Sequence, residues 1–147
     1  EQPTVKSLTQ QELWNLCSKR DQYRAKYARA WTNSGAEDGQ EVDVVLCPAS
    51  FGAATPHDQS RYWGYTANWN LLDYPGAVFP VTTVDPVKDP VDTTYVPKND
   101  QDSWAHDMYS PEKYTDAPVS LQVIGRRGYD EKVLAALGAI ERALGRT

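Results

Sequence analysis

Along the N-terminal stretch, Leu13, Leu16, Cys17, Tyr23, Tyr27 and Trp31 recur at near-helical spacing, behind the capping box Thr9-Gln10-Gln11-Glu12. The pattern predicts a helix from about Gln10 to Trp31, stopped at Asn33-Ser34-Gly35. Lys19, Arg24, Lys26 and Arg29 form its other face, which reads as solvated. After a loop over residues 35–40, Val42 to Cys47 is an apolar run without alternation, closed by Pro48, and predicts a strand buried on both faces. Residues 49–59 are small, polar and turn-rich, and Ser60 to Leu72 reads as a short aromatic helix. Ala77 to Val84 is a second strand whose internal Pro80 implies an edge, a bulge or a strand end. Residues 85–117 carry Pro86, Pro90, Pro97 and Pro111 among many charges and read as a long surface excursion. Val119 to Ile124 alternates as a third strand. Asp130 to Leu144 reads as a helix with Asp130 as its N-cap and Val133, Leu134, Leu137, Ile140, Ala143 and Leu144 on its apolar face.

The order helix, strand, helix, strand, long loop, strand, helix is an α/β pattern within one domain's worth of chain. It divides into a leading helix and loop (1–41), a strand-helix-strand segment (42–84), the excursion (85–117) and a strand with the final helix (118–147). Three strands make a poor sheet alone, and a strand like Val42–Cys47 wants neighbours and cover. The chain opens on Glu1 rather than Met, which predicts a processed, truncated or engineered start. Together these features predict a share in a larger sheet.

Composition narrows the function. With a net charge of −5 and a pI near 5.0, the chain lacks the basic face of a nucleic-acid binder. No apolar run reaches the roughly 18 residues of a membrane span, and no signal peptide is visible. Cys17 and Cys47 have no paired or CxxC spacing, and neither His57 nor His106 stands at zinc-ligand spacing from them. Two thiols in a reducing, cytoplasmic compartment is the reading that follows.

Self-sufficient catalytic machinery is not evident. There is no GxSxG elbow, GxGxxG or P-loop motif, and no two serines or two glycines are adjacent. His57-Asp58 and His106-Asp107 each pair an imidazole with a carboxylate, which could orient a general base, but no activated nucleophile stands near either; surface polar residues are the plainer account. Five Trp and nine Tyr leave two further readings open. They could form a carbohydrate-binding platform, making the chain a stand-alone binding module, or they could mark an interface with a missing partner.

Three blocks carry a resemblance. Val44-Val45-Leu46-Cys47-Pro48-Ala49, the run from Tyr65-Thr66 through Asn70-Leu71-Leu72-Asp73-Tyr74-Pro75 to Pro80-Val81, and Ala117-Pro118-Val119-Ser120-Leu121-Gln122-Val123-Ile124-Gly125 followed by Asp130-Glu131 resemble, in order, the C-terminal blocks of the amidase signature family. The charged, proline-rich insert at 85–116 resembles the acetamidase-like and fatty-acid-amide-hydrolase-like branch. The resemblance implies the C-terminal part of a larger mixed-sheet α/β fold, hydrolysis of linear amides by a Ser–cis-Ser–Lys triad, and no cofactor or metal. The triad lies upstream in that family, in a Gly-Ser-Ser-Gly-type loop that this chain lacks. The chain alone is therefore expected to be inactive, with the N-terminal portion of the same amidase as its partner and a small amide as substrate. In that branch the helix before the N-x-L-D-[FY]-P block lines the acyl pocket, which carries the role to Ser60, Trp63 and Ala67. Their spacings of three, four and seven would put them on one helical face; packing into the core is the alternative. Trp63 stands where the branch has an aliphatic residue, which implies small amides over long-chain ones. Asn70, Asp73 and Gln122 match motif positions with structural roles, the first two capping the helix and bonding the chain reversal. A purely structural role in an assembly is the third reading.

Overall fold

The computed structural model describes residues 6–37 and 39–146. They form α1 (Gln10–Thr32), β1 (Val45–Pro48), α2 (Gly64–Leu72), β2 (Gly76–Thr83), α3 (Asp100–Met108), β3 (Pro118–Ile124) and α4 (Asp130–Ala143), with a 3-10 turn at Asn33–Gly35. The strands make one sheet in the order β1-β3-β2. Pairing is antiparallel. At one end of β2 and β3, Val84 N donates to Ala117 O and Asp116 N to Val84 O, both at 3.0 Å, while at the other Gly125 N donates to Pro75 O at 3.0 Å. On the far side of β3, Ala49 N meets Ser120 O at 3.4 Å. Among the described residues Pro80 thus sits in an outer strand of this sheet, where a missing N–H is tolerated.

Burial in β1 alternates and Leu46 remains 53% exposed, so the described residues cover one face of this strand and leave the other bare, in keeping with a share in a larger sheet. The middle strand β3 runs into three consecutive buried residues, Gln122, Val123 and Ile124.

The chain groups into two compact units. The first comprises residues 1–47, 66–77 and 122–147. Its α1 begins on the expected capping box: Glu12 N donates to Thr9 Oγ1, and the Glu12 carboxylate accepts from Thr9 N at 2.7 Å. The second half of the α1 stripe is packed. Trp31 is buried and its Nε1 donates to Val42 O at 2.7 Å. Tyr27 meets Trp69 and Tyr74 edge-on at 6.0 and 5.8 Å, and Trp31 meets Tyr74 at 5.7 Å. The first half is bare, with Leu13 and Leu16 at 51% and 50% exposed. Arg24, placed on the solvated face, donates to Leu71 O at 2.7 Å. Gly35 permits a close passage, because a Cβ there would stand 2.8 Å from the Glu41 backbone nitrogen. Helix α4 packs Val133 into the core, with Asp130 its first helical residue and Tyr129 at the cap, one position off the expected Asp130 cap. Leu134, expected on the apolar face, is 64% exposed.

The second unit comprises residues 48–65 and 78–121, with Phe79, Val84 and Tyr114 buried. The expected long loop contains α3, capped by the Asn99 side chain accepting from Asp102 N at 2.9 Å. Turns before it are built by carboxylates. Asp85 accepts from Val87 N at 3.0 Å, Asp92 from Thr94 N at 2.9 Å, and Asp102 from Lys98 N at 2.8 Å.

Candidate functional site

The three residues expected to line a pocket do not share a helix. Residues 60–63 are non-helical and α2 begins at Gly64, so Ser60 and Trp63 precede it while Ala67 lies within it. At this start the Tyr62 ring lies against Gly64, where a Cβ would run into it. All three expected residues are exposed, Trp63 at 46%.

Asn70 and Asp73 end α2. Asp73 adopts the left-handed region at φ 62°, its N–H meets Asn70 O at 3.2 Å, and Tyr74 N reaches back to Trp69 O at 3.1 Å. This is a Schellman termination with aspartate at the position usually held by glycine. It uses the backbone carbonyl of Asn70. The Asp73 carboxylate pairs with Arg127 at 2.7 Å. Gln122 is buried in β3. Burial pushes the Cys47 thiol above its ordinary value, against hydrogen bonds from Gln122 and Trp69. A thiol held neutral in this way is a poor nucleophile. Cys17 and Cys47 are both free.

His57 is exposed, in the turn closed by Gln59 N donating to Pro56 O at 3.2 Å. His106 is tied into the second unit: Nε2 lies 2.9 Å from Asp92 O and the ring stacks on Tyr95 at 5.2 Å. Among the described residues, no group of His, Cys, Asp and Glu could hold a metal ion.

Two concavities lie within the second unit. The larger, about 890 Å³, is lined by Asp85, Asp89, Asp92, Asp102, His106 and several tyrosines, among others. Its carboxylates are occupied. The Lys88 ammonium holds Asp85 below its usual range, the Thr94 hydroxyl does so for Asp92, and the Lys98 amide followed by the Tyr95 hydroxyl does so for Asp102. They shape turns and leave no convergent acid–base pair. The smaller, about 280 Å³, is lined in part by Phe51, Tyr62, Tyr65 and Trp104. Phe51 and Trp104 stand in segments whose sequence carries no periodic apolar signal. Asn99 after Pro97, with Asp100 and Asp102 following, was the available signal for the helix that presents Trp104.

Comparison with known proteins bears on all of this. The family model described as Amidase matches residues 3–134. A putative amidase of Schizosaccharomyces pombe is 47% identical over 139 residues, 95% of this chain and 25% of that protein. An acetamidase of Emericella nidulans is 35% identical over 143 residues, 97% of this chain and 26% of that protein. A solved fatty acid amide hydrolase superposes with a TM-score of 0.79 at 33% identity, over 95% of this chain and 24% of its own. The chain thus spans about a quarter of the length of these relatives and corresponds to a C-terminal segment of them.

Proposed function

Because this chain belongs to the amidase family, we propose that it is the C-terminal quarter of an amide-bond hydrolase, supplying three sheet strands and part of the substrate pocket. One observation carries this reading: the superposition on a fatty acid amide hydrolase covers 95% of the chain at 33% identity. The Ser–Ser–Lys machinery then belongs to the other three quarters, and this chain by itself does not turn over amides. The absence of adjacent serines supports that division. So does the bare half of the α1 stripe, an apolar surface of the kind that a partner covers. The two free thiols support a reducing, cytoplasmic compartment. Tyr27, Trp31, Trp69 and Tyr74 pack against one another in the first unit, which weakens the case for a carbohydrate platform there.

Within this reading, Ser60, Trp63 and Ala67 face the substrate. Support comes from the matched Asn70 and Asp73 of the following block and from the exposure of all three, since the shared helical face does not exist. An indole at Trp63 fills volume that a long acyl chain would need, and each methylene in an apolar pocket is worth about 1–3 kcal/mol of discrimination. In the intact enzyme, Trp63→Ala should raise kcat/KM for hexanamide relative to acetamide. An unchanged ratio in a folded variant would remove Trp63 from the pocket.

A further inference from the structure

In the second unit, Tyr65, Tyr62, Phe51 and Trp104 meet in a row, each ring tilted edge-on to the next. The centroids are 6.0, 6.5 and 5.6 Å apart and the planes cross at 80°, 67° and 61°. The Arg61 guanidinium lies 5.8 Å from the Trp104 ring centre. The row lines the concavity of about 280 Å³, and Tyr62 and Tyr65 keep 41% and 39% of their surface exposed. Rings packed edge to face present both electropositive edges and electronegative faces, so a further ring can extend the pattern and gain beyond its area. An alkyl chain gains from area alone. Part of the polar rim is engaged: Asp102 accepts from the Tyr95 hydroxyl and the Lys98 amide, both at 2.8 Å, and Asn99 caps α3. Gly64 contributes by lacking a side chain, because only a bare α-carbon lets the Tyr62 ring lie where it closes the row.

We propose that this concavity is the subsite for a planar aromatic group of the amide that the intact enzyme cleaves. The proposal rests on the hydrolase reading and narrows its substrate class to aryl amides.

The test uses the intact enzyme with benzamide and acetamide as substrates and benzyl alcohol as a ring probe without an amide. Trp104→Ala should lower the ratio of benzamide to acetamide kcat/KM about tenfold, an aromatic contact and its buried area being lost together. Trp104→Phe should restore most of the ratio. Gly64→Ala displaces only the movable Tyr62 ring, so it should lower the ratio severalfold in a protein that still folds. Benzyl alcohol should compete with benzamide in the parent and much less in either alanine variant. Equal losses for both amides, or an unmoved ratio in both alanine variants, would overturn the proposal; the latter is expected if another part of the enzyme fills the concavity. Should the intact protein cleave neither amide, calorimetric titration with benzyl alcohol separates the two readings. Binding that weakens about tenfold in Trp104→Ala keeps the aromatic subsite while the hydrolase reading falls, and no binding removes the subsite.

Discussion

Asp73 shows how one position joins local geometry to the site. Its φ of 62° is costly for most side chains and tolerable for aspartate, and the turn it makes sends the chain from α2 into β2. Replacing it with alanine keeps the strained angle and removes the pairing with Arg127. Asp73→Ala should therefore destabilise the intact protein by about 1 kcal/mol. Asp73→Gly relieves the angle while losing an exposed ion pair, itself worth about 0–1 kcal/mol, and should be nearly neutral. Urea denaturation of both variants checks this, and an alanine variant as stable as the parent would remove the conformational account. The sequence block N-x-L-D-Tyr-Pro was legible as a chain reversal. That the acceptor is the Asn70 backbone was not, because side-chain identity carries no information about which carbonyl a turn uses. Likewise Gln122 was legible as a motif residue, but its burial beside Cys47 follows from β3 being central, a fact of topology.

Elements were legible where the signal was local. The capping box fixed the start of α1, and the Asn-Ser-Gly run its end, because both act within one turn. β2, β3 and α4 fell within a residue or so of their expected limits for the same reason. The start of α2 differs from the expected Ser60: the helix begins at Gly64, where the Tyr62 ring takes the space of a side chain. α3 was missed because its sequence is polar and proline-flanked, and its stability comes from capping and from carboxylate-built turns rather than an apolar stripe. Those turns make a pH prediction. Asp102 titrates below its ordinary value, through the Lys98 amide first and the Tyr95 hydroxyl next. A depressed carboxylate adds stability that is complete above its unfolded value, about pH 4, and is lost as pH falls through the folded one. Amide-exchange protection in residues 95–108, taken relative to the intrinsic rate at each pH, should therefore fall below about pH 4 in the parent. Asp102→Asn should already show lower protection at neutral pH and a flatter fall with acid. Identical pH profiles would mean that the carboxylate does not hold this segment.

At the scale of the whole molecule, the sequence blocks identified the family, and the comparisons bear it out over nearly the entire chain. What the blocks left unread was which surfaces lie bare. Leu13, Leu16 and Leu46 are about half exposed, and two of them belong to a stripe whose continuation is core. Apolar periodicity reports that a face will be covered without saying by what, so the stripe alone could not separate intramolecular packing from a partner. A chain that is a quarter of its relatives' length accounts for such faces. The most direct test is amide hydrolysis by the intact protein and by the purified 147-residue chain side by side, with acetamide and benzamide. The intact protein should turn over at least one of the two, and the chain alone neither. Turnover by the chain alone that survives repurification, and that disappears when one of its own residues is changed, would contradict the account.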